Sequence, residues 1–138
     1  MKFEIVGTIN NFEDLEIWQN SRRFCESIYQ NCVLNDKFQR YDKTQIDRAS
    51  SSIMDNIAEG FEREGNREFV NFLIMSKGSA GEVRSQLIRA FDRKYLDEET
   101  YLKLKNESLE ISKKLSGFIN YLKNSTHKGN KFNRKNEE

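Results

Sequence analysis

Apolar side chains recur every three or four residues along four stretches of this chain, and polar links separate the stretches. The stretches run from about Glu13 to Cys32, Lys43 to Glu62, Arg67 to Lys94 and Glu98 to Lys123. This spacing, near 100° per residue, places the apolar positions on one face of an α-helix. Four such helices joined by short links predict an all-α protein, an antiparallel up-and-down four-helix bundle.

Polar residues that could cap a helix precede each stretch, because a short side chain can accept a hydrogen bond from the first free N–H groups. These candidate caps are Asn10 or Asn11, Asp42, Asn66 and Asp97. Gly65, in the link before the third stretch, can adopt the left-handed conformation found at helix C-termini. The caps support the four predicted helix starts.

The two ends of the chain depart from the helical pattern. Residues 1–9 alternate weakly, so we expect an N-terminal arm over residues 1–11 whose first part forms either a short strand or a swapped segment. Residues 124–138 are polar and aperiodic, which predicts a disordered tail. The bundle itself is expected to span residues 12–123 as a single domain.

Small residues occur together in the second and third stretches. The second contains "ASSSIMDNIAEGF", residues 49–61, and the third contains "SKGSAGE", residues 76–82. The small residues expected to face inward are Ser50, Ser76, Ser79 and Ala80. Small side chains let two helix backbones approach closely, so we expect helix two to pack tightly on helix three. Leucine at Gly78 or Ser79 should then overpack this contact and destabilise the protein by about 1–3 kcal/mol.

No motif in the sequence indicates catalysis or metal binding. The one histidine, His127, falls in the predicted tail, so a nucleophilic serine has no base and a di-iron bundle has no Glu-x-x-His motif. The "GSAGE" run lacks the Lys-Ser/Thr of a phosphate loop. Cys25 and Cys32 do not match zinc or redox spacing. We therefore expect no enzymatic activity, no catalytic residues, no metal site and no cofactor.

Charge is nearly balanced over the whole chain but uneven along it. The formal net charge is +1, which argues against a strongly basic nucleic-acid binder and leaves room for a local patch. Residues 66–95 carry six lysines and arginines against three acids. No apolar run is long enough to cross a membrane and no secretory signal is evident, so we expect a cytoplasmic protein with reduced thiols and no membrane partner.

Three segments resemble a known family. They are "FEDLEIWQNSRRFCESIY", "IDRASSSIMDNIAEGFERE" and "REFVNFLIMSKGSAGEVRSQL". They are similar to the four-helix-bundle proteins encoded in intervening sequences of bacterial 23S rRNA genes, often called S23 ribosomal proteins, over about residues 12–122. The resemblance implies a homopentamer without an enzymatic site. It also implies a link to RNA, since the family includes a retroelement accessory protein that binds nucleic acid and a reverse transcriptase.

The resemblance marks a set of structural signature and interface positions. They are Ser51, Ser52, Asn56, Glu59, Gly60, Gly78, Ser79 and Glu82. We expect most of them to serve packing. The polar members Asn56, Glu59 and Glu82 are expected to form hydrogen bonds between helices or between subunits.

The basic residues form a second set, the candidate nucleic-acid-binding positions. They are Arg22, Arg23, Lys77, Arg84, Arg89, Arg93 and Lys94. The competing interpretation is a solvated face whose positive charge compensates the C-terminal end of helix three.

Two functional hypotheses follow. The first is a non-enzymatic oligomeric bundle that associates with RNA or DNA. The second is a protein-interaction scaffold, accessory to a reverse transcriptase or a ribosome-associated factor. It is motivated by a second apolar stripe on helix three, formed by Val70, Ile74, Gly81 and Ile88.

Overall fold

A computed structural model describes residues 9–126 of the chain. It contains four α-helices, and no strand occurs within those residues. A 3₁₀ turn at Phe12–Asp14 precedes the first helix, and a π-helical turn at Tyr29–Val33 ends it. The helices are α1 (Glu16–Ile28), α2 (Arg40–Glu62), α3 (Asn66–Asp92) and α4 (Glu98–Thr126).

The helices form a closed antiparallel bundle, which confirms the predicted fold class. Each helix packs on its neighbours in chain order, and α1 closes the ring against α4. Apolar residues at helical spacing fill the centre, and the rings of Phe61, Phe69 and Phe118 meet edge to face there. These contacts join α2, α3 and α4 in one core, so the amphipathic pattern of the sequence is satisfied by the helices of a single chain.

The helix ends differ from prediction at several points. Helix α2 begins at Arg40, and Asp42 lies buried in its first turn, so the prediction that Asp42 caps the helix is wrong. Asp97 does cap α4, since its Oδ1 accepts a hydrogen bond from the Thr100 N–H at 2.8 Å, which lowers the pKa of the Asp97 carboxyl. Helix α4 continues to Thr126, beyond the predicted end at Lys123.

The two other predicted caps, at the starts of α1 and α3, also differ from the prediction. Asn66 is the first residue of α3, and Gly65 stands at the capping position with a φ of 80°. Glycine is favoured there because its missing Cβ permits positive φ at little cost. Asn11 precedes the 3₁₀ turn without a side-chain capping bond. The expected arm and tail lie mostly outside the described residues, at 1–8 and 127–138.

The contact between α2 and α3 is close, as the small residues predict, but Gly78 plays no part in it. A Cβ added to Gly78 would meet nothing within 4 Å, so the prediction that leucine there overpacks the contact is wrong. The close approach occurs at Gly60, where an added Cβ would lie 2.5 Å from the Phe72 Cβ. Ser76 is fully buried and donates a hydrogen bond to the Ile53 carbonyl across the contact at 2.8 Å.

The two cysteines differ in their surroundings. Cys32 is fully buried in the π-helical turn, and this burial raises the pKa of its thiol to about 12. Cys25 is only half-buried and lies 3.9 Å from the Ser50 hydroxyl. Cys32 therefore belongs to the core, whereas Cys25 lies at its edge.

Candidate nucleic-acid interface

Three of the signature residues form a hydrogen-bonded network on the edge of α2 that faces α3. The Asn56 side-chain amide donates to the Ser52 carbonyl at 2.9 Å and to the Ser52 hydroxyl at 3.0 Å. The Ser52 hydroxyl in turn lies 3.0 Å from the Ser79 hydroxyl on α3. Asn56 therefore supports a bond between helices through Ser52, and the role of these residues is structural.

The acidic signature residues bond within their own helices. Glu59 forms an exposed ion pair with Arg63, one turn away, at 3.0 Å. Glu82 accepts a hydrogen bond from Gln86, also one turn away, at 3.4 Å. Within residues 9–126, neither carboxylate reaches a neighbouring helix, so the expected helix-to-helix bonds of Glu59 and Glu82 are not formed there.

The remaining signature residues are Ser51 and Gly60 on α2 and Gly78 on α3. The Ser51 hydroxyl donates to the Asp47 carbonyl at 2.9 Å, a bond within α2 that keeps a polar group satisfied on a half-buried face. Gly60 permits the close contact with Phe72, and Gly78 is exposed on α3.

The candidate basic residues lie in three separate places. Arg22 and Arg23 are exposed on α1, and Lys77 and Arg84 lie near the middle of α3. The last three are at the end of α3: Arg89, Arg93 and Lys94. Of all seven, the structure fixes Arg89 and Arg93 around a single carboxylate.

That carboxylate belongs to Asp42, the buried residue in the first turn of α2. Its Oδ2 lies 3.0 Å from the Arg93 Nη1 and accepts a hydrogen bond from the Tyr95 hydroxyl at 2.9 Å. Its Oδ1 lies 3.9 Å from the Arg89 Nε. The Asp42 side chain is 9% exposed, whereas those of Arg89 and Arg93 are 40% and 51% exposed. Both guanidinium groups thus have an inner edge near Asp42 and an outer edge toward solvent.

The loops at this end of the bundle hold the cluster in place. The Tyr95 ring packs on Phe38 with a centroid distance of 4.8 Å, and the Asn35 side-chain amide donates to the Tyr95 carbonyl at 3.1 Å. Lys94, which follows α3, has a φ of 64°, a conformation uncommon for residues other than glycine. The N–H of Tyr95 bonds back to the Ala90 carbonyl at 2.9 Å and closes this turn.

The other candidate cations lie in different surroundings. The Arg22 guanidinium lies 5.8 Å from the Trp18 ring centroid, and Arg23 bonds to Asn20 on its own helix. Arg84 is half-buried, and its Nη1 has no hydrogen-bond partner within the described residues. Lys77 is exposed. The end of α3 differs from these positions because two of its cations approach one buried carboxylate.

The sequence did not assign three residues of this end to a binding surface: Asp42, which was predicted only as a helix cap, and Arg40 and Tyr41 just before it. Arg40 is exposed, and Tyr41 is 69% exposed. The spacing of Asp42 could have predicted its burial. It precedes Ile46 by four residues and Ala49 by seven, which places it on the buried face of α2. An acid on that face needs a cationic partner, which here comes from α3.

No group of three or more His, Cys, Asp and Glu side chains in the described part of the chain could hold a metal ion. No helix among residues 9–126 is long and apolar enough to cross a membrane.

Comparisons with known proteins agree with the fold. The model of a family described as 23S rRNA-intervening sequence protein matches residues 13–117. A solved structure of a protein of unknown function from the S23 ribosomal protein family of Bacteroides thetaiotaomicron VPI-5482 is similar, with a TM-score of 0.69 and 27% sequence identity. That similarity covers 75% of this chain and 97% of the other. No curated protein matches the chain.

Proposed function

This chain belongs to the 23S rRNA-intervening sequence protein family, and on that premise we propose that it is a non-enzymatic, oligomeric nucleic-acid-binding protein of the cytoplasm. Its ligand is RNA, bound at the end of the bundle where α3 ends and α2 begins. The resemblance described above implies that five subunits assemble into a homopentamer. The bound RNA contacts the protein mainly through phosphates, because nearly all candidate contacts are cationic.

The observation that carries this proposal is the pair of arginines around Asp42. Most surface arginines lose side-chain freedom when they bind a phosphate. Arg93 is already held by a buried carboxylate at 3.0 Å, and half of its side chain remains exposed. Arg89 stands one turn earlier on the same helix, beside the same carboxylate. Arg93 is thereby pre-organised and Arg89 is drawn toward the same carboxylate, so less entropy is lost when an anion binds to their outer edges.

Exposed apolar side chains on α3 support the oligomer. Ile74, Met75 and Ile88 are 47%, 51% and 41% exposed, although α3 is otherwise a central helix of the bundle. Of the predicted stripe, Ile74 and Ile88 are exposed as expected, whereas Val70 is buried in the core. An exposed apolar stripe is typical of a surface that another protein covers. In an oligomer each copy adds its own basic end, so the positive charge available to one RNA molecule increases with subunit number although each chain is nearly neutral.

Binding to RNA across a salt series tests the proposal. Nuclease-treated protein is titrated into a fluorescent structured rRNA fragment between about 50 and 200 mM salt, with the oligomer mass measured by light scattering. We expect binding that weakens steeply, because each phosphate contact contributes about 0.7–0.9 to the slope of log K against log salt. A well-folded oligomer that does not bind at low salt would contradict the proposal.

A charge-matched pair of variants locates the surface. Arg89→Gln with Lys94→Gly removes two cations per chain, keeps the closer Arg93–Asp42 ion pair, and suits the positive φ at residue 94. Lys103→Gln with Lys113→Gln removes two cations from exposed positions on α4. We expect the α3 variant to bind at least tenfold more weakly with a shallower salt slope, and the α4 variant to bind nearly as the wild type.

A second candidate function is a scaffold for a different protein. The observation in its favour is the same exposed stripe of Ile74, Met75 and Ile88. Ile74→Glu with Ile88→Glu distinguishes the two uses. Dissociation of the oligomer by this variant would assign the stripe to contacts between copies. An oligomer that keeps its mass would leave the stripe exposed in the assembly and favour a different partner.

A further inference from the structure

The end of the bundle carries an aromatic side chain that phosphate binding alone does not use. Tyr41 is 69% exposed, the highest value among the large hydrophobic side chains of residues 9–126. It lies in the first turn of α2, one residue before Asp42. A tyrosine exposed to this extent has its flat ring in solvent, and such a ring offers a surface on which another ring can stack.

The position of Tyr41 on α2 places it toward the arginine pair. Eleven residues, about three helical turns, separate Tyr41 from Ser52, so both lie on nearly the same edge of the helix. Ser52 contacts Ser79 of α3, which identifies this edge as the one facing α3. Arg89 and Arg93 reach across to Asp42 at the same end of that edge. Tyr41 is therefore on the arginine side of α2.

The charges around Tyr41 favour an anion. On this side of α2, residue 40 contributes Arg40, and residues 89–94 contribute three cations and Asp92. Four cations thus stand against Asp42 and Asp92, and Asp42 is buried beside the two arginines. The surface combines a positive field with an exposed aromatic ring.

This combination fits an unpaired nucleotide better than a duplex. Bases stack on aromatic side chains when they are not already stacked and paired in a helix, while cations hold the backbone phosphates. In a duplex the base faces are covered, and a tyrosine contributes little beyond a hydrogen bond to the backbone. Exposed tyrosine beside fixed arginines is therefore typical of single-stranded binding.

We propose that Tyr41 stacks on an unpaired RNA base while the outer edges of Arg89 and Arg93 bind the adjacent phosphate. This inference rests on the proposed function and specifies the ligand as a single-stranded segment, such as a loop. Asp42 is a positioning residue in this arrangement, because it holds the guanidinium groups without touching the RNA.

The test compares three tyrosine variants on two RNA probes. The probes are a fluorescent single-stranded oligoribonucleotide of mixed sequence and the same strand annealed to its complement. The variants are Tyr41→Ala, Tyr41→Phe, which keeps the ring, and Tyr29→Ala, which removes a 41% exposed tyrosine from the π-helical turn after α1. Thermal melting confirms that each variant is folded, as expected for exposed positions.

We expect a loss of binding that depends on the Tyr41 ring and that is seen only with the single-stranded probe. Tyr41→Ala should weaken single-strand binding by about 5- to 150-fold, the range found for loss of one stacked base. The salt slope should stay unchanged, because no charge is lost. Tyr41→Phe and Tyr29→Ala should stay within about twofold of wild type, and Tyr41→Ala should leave duplex binding unaltered.

The outcomes separate this inference from the function on which it rests. Wild-type binding that Tyr41→Ala does not weaken, or weakens equally for single strand and duplex, would overturn the stacking role alone. Failure of the wild type to bind either probe at low salt would overturn both. Equal losses for Tyr41→Ala and Tyr29→Ala would assign the effect to tyrosines in general and would also overturn the inference.

Discussion

The interface of α2 with α3 and the interface of α1 with α4 join neighbouring helices in different ways. Between α2 and α3, Gly60 lets the backbone approach Phe72, and Ser76 and Ser52 form bonds to the opposite helix. Small residues occupy the positions of contact. The helices therefore meet closely and these serines are paired, although the buried Gln86 Oε1, which lines a small cavity with Asp42, has no hydrogen-bond partner within residues 9–126.

Between α1 and α4 the contact is wider and more polar. A groove of about 450 Å³ separates the helices, and charged or amide side chains line much of it. The Asn20 Nδ2 and Glu107 Oε1 atoms in this groove are buried without a hydrogen-bond partner in the described part of the chain. The ion pair between Lys114 and Glu16 is 4.0 Å long and partly exposed.

The difference shows where the bundle obtains its rigidity. Close packing and paired polar groups stabilise α2 and α3 together, whereas long charged side chains contribute little at the α1–α4 interface. We expect local opening to begin at α1, because α4 also packs on α3 in the aromatic core. The arginine pair and Tyr41 are carried by α2 and α3, so the proposed RNA surface lies on the more rigid half of the molecule.

The largest expected effect is at Gly60. Gly60→Val places a branched side chain where even a Cβ would lie 2.5 Å from the Phe72 Cβ and 3.0 Å from a ring atom of Phe69. The helices must separate, and we expect a loss of about 2–3 kcal/mol in the free energy of unfolding. Urea denaturation measures it. An unchanged midpoint would show that α2 and α3 are not closely packed at this point.

A smaller loss is expected at Ser76. Ser76→Ala removes the buried hydrogen bond to the Ile53 carbonyl and should lower the free energy of unfolding by about 1 kcal/mol. Ser85→Ala, on the exposed side of the same helix, is the matched control and should be neutral or slightly stabilising, since alanine favours helices. Equal effects at both positions would mean that the bond between the helices contributes nothing.

The opposite sign is expected at Gly78. Gly78→Ala adds a methyl group where no atom lies within 4 Å, and alanine is a better helix former than glycine by about 1 kcal/mol. The unfolding midpoint should therefore rise. Because Gly78 lies on the exposed side of α3, destabilisation of the oligomer at micromolar concentration, with the mass checked by light scattering, would instead place Gly78 in a contact between subunits.

The smallest effect is expected between α1 and α4. A double-mutant cycle on Glu16→Gln and Lys114→Gln should give a coupling free energy below about 0.5 kcal/mol, because the pair is long and exposed to solvent. Urea denaturation of the four proteins provides the values. A coupling above 1 kcal/mol would remove the contrast between the two interfaces.

The sequence predicted the four helices because their apolar spacing is regular and nearly complete. It also predicted that α2 packs on α3 through small residues, but it assigned the close approach to Gly78 or Ser79, and the glycine that makes it is Gly60. Both glycines lie on helices with a small-residue pattern, and only the relative rotation of α2 and α3 decides which one meets a neighbour. That rotation depends on packing between distant segments, which local periodicity does not contain.

The candidate site was less predictable than the fold. Arg89 and Arg93 were identified from charge alone, but their ion pairs with Asp42 cross about fifty positions of the chain. Asp42 was assigned to a helix cap because it precedes an apolar run, although its spacing to Ile46 placed it on the buried face. Tyr41 carried no local signal, because exposure of an aromatic residue becomes evident only once the neighbouring helix is placed.

Hydrogen exchange with and without a single-stranded oligoribonucleotide tests the account most directly, because it reports both halves of the molecule at once. The free protein should exchange faster in α1 than in the central turns of α2 and α3. RNA should slow exchange in peptides that cover residues 40–43 and 89–95 and leave the α1–α4 groove unchanged. Protection confined to α1 and α4, or none under conditions where RNA is bound, would contradict the account.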